Sequence, residues 1–176
     1  MIFTPIPLKD AYLIDIEKIE DARGFFARTW CRDEIGSRGL KGDFAQVNIG
    51  FNSKKGTLRG MHFQAAPHAE VKAVRCTQGA VHDVIVDLRP DSPTYRRWFA
   101  TVLSAGNHRM LYVPEGFAHG YLTLTDNAEI HYMASTRFAP EFARGVRHDD
   151  PAFGIAWPGA ITTISEKDAS WPDFAP

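Results

Sequence analysis

Apolar and polar residues alternate along much of this chain, in short runs. Period two is the mark of a strand with one buried face. It is read over residues 12–16, 44–50, 57–64, 71–76, 80–88, 98–103, 110–113, 120–124 and 128–134. Turn residues separate the runs: Asn52-Ser53, Gln78-Gly79, Pro90-Asp91-Ser92-Pro93, Gly106-Asn107 and Thr125-Asp126-Asn127. Gly and Pro recur along the whole length as punctuation. Many short strands at even spacing predict a β-sandwich or barrel. Two stretches read as short helices. One covers 32–38 and ends at Gly39. The other begins at Ser165, which stands in capping-box spacing with Asp168. The expected fold is all-β with minor helix.

Composition narrows the class. At 176 residues the chain is expected to form one domain over 1–176. Hydrophobic residues at 44% exclude a disordered chain. The net charge of −1 supplies no global positive field, so no nucleic-acid partner is expected. The longest uncharged stretch, 151–165, is broken by Pro, Gly and Thr and falls short of the roughly 20 apolar residues of a membrane span. The start, MIFTPIPLKD, lacks the basic and apolar regions of a signal peptide. A cytoplasmic protein with no membrane partner is expected. Cys31 and Cys76 are then expected to be reduced, and no C-x-x-C pair suggests a zinc or redox site.

A β-barrel with histidines first suggests a metal. Metal-binding cupins offer two histidines one residue apart on a strand, a carboxylate, and a later histidine. Here the strand reads Thr57-Leu58-Arg59-Gly60-Met61-His62-Phe63-Gln64, with Gly60 and Gln64 flanking His62 where a second histidine would stand. The later segment Pro114-Glu115-Gly116-Phe117-Ala118-His119 carries the second half of the pattern alone. Two histidines are one short of a usual catalytic set, so no metal is expected. The histidines are then read as acid–base groups.

Polar residues also punctuate the apolar strands. Lys72 shares a face with Val74 and Cys76, and Tyr132 shares one with Ala128, Ile130 and Ala134. A lone His or Tyr in such a place is ordinarily a hydrogen-bonded core residue. His, Lys and Tyr together inside one barrel are costly to bury unless they serve a site.

The chain resembles the dTDP-4-dehydrorhamnose 3,5-epimerase family, sugar-nucleotide epimerases of the cupin superfamily. The resemblance runs through Asp21-Ala22-Arg23-Gly24-Phe25-Phe26, Leu58-Arg59-Gly60-Met61-His62-Phe63-Gln64 and Lys72-Ala73-Val74-Arg75-Cys76. It continues in Asp83-Val84-Ile85-Val86-Asp87-Leu88-Arg89, Ser92-Pro93-Thr94 and Val113-Pro114-Glu115-Gly116-Phe117-Ala118-His119-Gly120. It ends in Asp149-Asp150-Pro151, Trp157-Pro158 and Ser165-Glu166-Lys167-Asp168. Order and spacing together make it specific over nearly the whole chain.

The resemblance implies a cupin-type jelly-roll β-barrel and a cofactor-free epimerase acting on a nucleotide-linked 4-keto-6-deoxy sugar. The C4 ketone acidifies the protons at C3 and C5. The chemistry needs a base, an acid on the opposite face and a positive group for the enolate oxygen. The resemblance gives these parts to His62 as base, Asp168 as its partner, Lys72 at the enolate oxygen and Tyr132 as acid. It gives substrate binding to His119 and Arg59, with Arg59 and Arg23 for the diphosphate and Gln46 and Asn48 for the nucleotide. Phe26 and Arg28 belong to the same nucleotide surroundings. A homodimer is also implied, in which the segment around Arg23 and Phe26 completes the partner's site. Related readings on the same barrel are a single-centre epimerase, a 3,4-ketoisomerase and a non-catalytic sugar-nucleotide binder. Tyr132, an acid opposite His62, favours epimerisation and leaves open whether C3, C5 or both are inverted; the joint presence of His62, Lys72, Tyr132 and Asp168 speaks against a mere binder.

Two features qualify the match. Arg59 and His62 are three apart, so a regular strand would point them to opposite faces; a bulge at Gly60 is expected to reconcile them. The family usually has glutamates where this chain has Arg28 and Ala143, and a tryptophan where it has His148. These departures lie where the family reads the nucleotide. An arginine in place of glutamate suits a base edge rich in acceptors, such as guanine.

Overall fold

The computed structural model describes residues 1–175; the last residue of the expected 1–176 unit lies outside them. The order is β1 (Ile2–Pro5), β2 (Tyr12–Asp15), β3 (Ile19–Asp21), β4 (Gly24–Phe26), α1 (Arg32–Gly36) and β5 (Gln46–Asn52). Then come β6 (Leu58–Gln64), β7 (Lys72–Gln78), β8 (Ala80–Asp87), β9 (Trp98–Ser104), β10 (Met110–Val113), β11 (Phe117–Thr123) and β12 (Ala128–Ala134). A 3-10 turn (Pro140–Phe142), β13 (Ala143–Gly145) and α2 (Glu166–Ala169) complete it. The fold is all-β, as expected.

Two antiparallel sheets face each other. One has the order β1-β2-β10-β7-β12-β5, the other β13-β6-β11-β8-β9. Strands β3 and β4 form a separate hairpin. The alternation seen in the sequence packs the space between the sheets. Val74 and Cys76 of β7, Leu111 and Val113 of β10 and Ile130 of β12 meet Val81 and Ile85 of β8, Leu103 of β9, and Phe117 and Tyr121 of β11. Strand β8 is buried on both faces. Its other side, Val84 and Val86, lies under Val146, Phe153, Trp157 and Phe174 of the C-terminal segment. Period two therefore sends Asp83 into the interior beside Val81 and Ile85.

Strand β6 carries the expected irregularity. His62 pairs with His119 and Arg59 with Tyr121, so three steps on β6 oppose two on β11. The extra residue turns Arg59 and His62 to one face. Glycine is required there. Gly60 has φ +136, and a Cβ on it would lie 2.5 Å from the Gly120 Cα. A side chain on Gly120 would in turn meet the Arg59 carbonyl at 2.8 Å.

The strand expectations hold at β10 and β12 to the residue, and elsewhere shift. The strand expected at 44–50 runs over Gln46–Asn52, and that expected at 120–124 begins at Phe117, directly after the turn residue Gly116. Strands β1, β3, β4 and β13 were not anticipated. All are three or four residues long, too short to show a period. The helix expected over 32–38 stops at Gly36, with Ser37 at its C-cap. At α2 the Ser165 hydroxyl accepts from the Asp168 amide, as a cap does. The Asp168 carboxylate, however, turns away to His62 and the Gly60 amide.

Candidate active site

Between the sheets lies a cavity of about 890 Å³. Its walls bring together His62, Lys72, Tyr132, Asp168, Arg59, His119, Gln46 and Asn48. These are eight of the eleven residues that the sequence put forward. His62 and Arg59 come from β6, His119 from β11, and Lys72 and Tyr132 from β7 and β12 of the opposite sheet. His62 and Tyr132 therefore face each other from opposite walls.

The His62 Nε2 lies 2.6 Å from the Asp168 Oδ1, and Asp168 also accepts from the Gly60 amide at 3.2 Å. Burial pushes the Asp168 carboxyl up. The His62 hydrogen bond and charge, the Gly60 amide and the Ser165 hydroxyl outweigh it and hold the carboxyl below its usual value. An ionised Asp168 only accepts, so it fixes the ring proton on Nε2 and leaves the Nδ1 lone pair free. The ring is 43% exposed, so that nitrogen is reachable from the cavity.

The Lys72 ammonium donates to the His62 carbonyl at 3.2 Å and pairs with Glu70 at 3.2 Å. Tyr132 is half-buried. Desolvation raises its phenol above the usual value; the Glu70 charge adds to this and Arg59 opposes it. The phenol is thus held protonated, as a proton donor must be. The Arg59 Nε donates to the Asn52 Oδ1 at 2.7 Å, which aims the guanidinium along the cavity wall. His119 Nε2 lies 3.0 Å from each oxygen of Asp83, a fully buried carboxylate. Gln46 accepts from the Phe138 amide through Oε1. Among the described residues no three His, Cys, Asp or Glu side chains converge as a metal cluster.

Three expected residues are not brought to this cavity. Arg23 is 89% exposed at the tip of the β3–β4 hairpin and pairs with Asp21. Phe26, on β4, is 71% exposed. Arg28 pairs with Glu34 at 3.0 Å, near the chain's amino group. The reason is reach: the hairpin makes no ladder with either sheet.

Other residues enter the site unannounced. Asp83 was visible as a charge inside an apolar strand. Glu70 and Asn52 lie outside any apolar period. Tyr121 was hidden among apolar neighbours; its hydroxyl accepts from Asn52 at 3.2 Å, and burial raises its phenol.

A family model described as dTDP-4-dehydrorhamnose 3,5-epimerase matches residues 5–176. The chain belongs to the dTDP-4-dehydrorhamnose 3,5-epimerase family. That makes it an isomerase of the sugar-nucleotide epimerase kind. A member from Sinorhizobium fredii is 42% identical, over 99% of this chain and 90% of its own. The crystal structure of the dTDP-4-dehydrorhamnose 3,5-epimerase from Elizabethkingia anophelis superposes with a TM-score of 0.96 at 39% identity, covering 99% of this chain and 96% of that one. ChmJ, a 3'-monoepimerase from Streptomyces bikiniensis solved with dTDP-quinovose, superposes at 0.88 with 32% identity, over 96% of this chain and 86% of its own. No helix among the described residues is long and apolar enough to cross a membrane.

Proposed function

We propose that the chain epimerises a dTDP-linked 4-keto-6-deoxy sugar at C3 and C5, in the cytoplasm and without a cofactor. The observation that carries this reading is a base and an acid on opposite walls of one cavity, His62 with Asp168 and Tyr132, with the Lys72 charge beside them. His62 Nδ1 takes the proton from the carbon next to the ketone. The electron pair moves to the C4 oxygen, which Lys72 faces as a compact charge. Tyr132 then gives a proton to the opposite face of the same carbon. One proton leaves and one returns, so the sugar is neither oxidised nor reduced. Solvent exchange resets the imidazolium and the phenolate. Arg59 pairs with the diphosphate through its planar fork, His119 holds the sugar, and Gln46 and Asn48 meet the nucleotide.

The reading includes a homodimer. Ile19 and Phe26 of the hairpin, and Val47, Ile49 and Phe51 on the outer face of β5, are half or more exposed. A lone soluble chain rarely shows so much apolar surface. The hairpin crosses to the partner and there supplies Arg23 and Phe26, with Arg28 just after it, to the nucleotide end, Arg23 giving up Asp21 and Arg28 giving up Glu34.

The test is solvent deuterium exchange, followed by NMR at C3 and C5, with dTDP- and GDP-linked 4-keto-6-deoxy sugars. Exchange at both carbons of the dTDP sugar is expected. No exchange with either sugar overturns the reading. The likeness to a 3'-monoepimerase favours one second reading, inversion at a single centre, and exchange at C3 alone would select it. Faster turnover of the GDP sugar would overturn the nucleotide and make Arg28 its reader.

A further inference from the structure

We infer that Glu70 is a positioning residue, which clamps the Lys72 ammonium at the place where the enolate oxygen forms. This rests on the reading of Lys72 given above. No feature of the sequence pointed to Glu70, since it sits in the turn before β7. In the fold its carboxylate lines the cavity and is 11% exposed. One oxygen lies 3.2 Å from Lys72 Nζ, and the other accepts from Gln64 Nε2 at 3.2 Å. Gln64 is itself fixed. It is 3% exposed; its Nε2, which has two protons to share, also lies 3.2 Å from the His68 carbonyl and 3.3 Å from the Arg137 carbonyl, and its Oε1 accepts from the Ala139 amide at 2.7 Å.

The result is a chain of contacts from loop backbone to the reacting group. An ammonium carries three N–H donors. Glu70 takes one and the His62 carbonyl takes a second. With two donors taken, the third is left for the cavity that Lys72 lines. A free lysine tip would sample many rotamers and lose that aim. Because one acceptor is the backbone of His62, the clamp also ties the oxyanion donor to the residue that carries the base. The Glu70 charge also lies near the Tyr132 phenol, whose other charged neighbour is Arg59, but burial comes first in keeping that phenol protonated, so the effect of Glu70 runs through Lys72.

The experiment measures exchange at C3 and C5 for the native chain, Glu70→Ala, Glu70→Gln, Lys72→Ala and the Glu70→Ala/Lys72→Ala double variant. dTDP affinity is measured alongside. Glu70→Ala is expected to lower kcat about 10- to 100-fold, the scale of a misplaced catalytic group, with KM and dTDP affinity within about threefold of native. Glu70→Gln keeps an oxygen beside Lys72 and should recover most of the rate. The double variant should be no slower than Lys72→Ala, because Glu70 acts through Lys72. A native rate in Glu70→Ala overturns the inference, as does a double variant that is slower by the full Glu70→Ala factor. A fall in Glu70→Gln as deep as in Glu70→Ala also overturns it. Those results leave the epimerase reading standing as long as the native chain exchanges; a native chain that exchanges no proton overturns both.

Discussion

Two histidine–carboxylate pairs stand side by side on the β6–β11 ladder, and they are built in opposite ways. His119 and Asp83 lie on neighbouring strands β11 and β8, so the sheet ladder alone sets their geometry. Both carboxylate oxygens are 3.0 Å from Nε2, and both residues are buried. His62 finds its carboxylate 106 residues away, on a four-residue helix. Its ring is 43% exposed against 9% for His119. A pair made within a sheet is rigid and closed, suited to holding a group still. A pair made between a strand and a distant helix leaves one ring nitrogen open to the cavity, as proton transfer requires.

The comparison breaks most sharply at His62. His62→Ala is expected to lose exchange at both C3 and C5, a fall of about 10³-fold or more, since a general base contributes about 10²- to 10⁴-fold. His119→Ala should cost about tenfold, mostly in KM, with exchange retained. Equal losses in kcat would erase the distinction between the two pairs. Between these lies Tyr132→Phe. It should let deuterium enter while inversion falls about 100-fold, because the proton lost to His62 can return only from the same face. Unaltered inversion would take Tyr132 out of the role of acid.

The open pair was more legible in the sequence than the closed one, though not for reasons of pattern. His62, Lys72 and Tyr132 were visible as polar residues on apolar strands, and the resemblance supplied their company. By pattern alone Asp168 was a capping residue; its pairing with His62 came from the resemblance, because the approach is tertiary. Asp83 gave a signal, a charge between Val81 and Ile85 at the head of a motif, but no role was attached to it. Glu70 and Asn52 gave none, because a carboxylate in a turn and an amide at a strand end are ordinary on any surface. Alternation places strands and their faces well. It is blind to four-residue edge strands and to contacts made across the fold. The hairpin bearing Arg23 and Phe26 was legible as a motif, yet this chain does not bring it to its own cavity, because it pairs with neither sheet.

Acid should act on the open pair next. Folding lowers the Asp168 carboxyl below its usual 3.8. The stabilisation this brings is therefore fully present above the unfolded value and is lost as pH falls through the lower folded value. Asp168→Asn should depress Tm near neutral pH, and the gap to the native chain should close as the pH falls below the usual carboxylate range. A gap that stayed constant to low pH would mean that Asp168 stabilises the fold by packing and not by its charge.

The smallest effect is expected at the helix that presents Asp168. The Ser165 hydroxyl caps α2 by accepting from the Asp168 amide at 3.1 Å, so the residue that starts the helix also fixes the one that orients His62. Losing a serine cap costs about 1 kcal/mol. α2 has only four residues, so the cap is a large share of what forms it. Ser165→Ala should therefore lower kcat a few-fold at unchanged KM. Ser165→Thr, which keeps the hydroxyl, should restore it. The His119–Asp83 pair has no such dependence, since its carboxylate is set in mid-strand. A rise in KM with native kcat would show that the cap serves binding, and that the open pair is held as firmly as the closed one by the Gly60 amide alone.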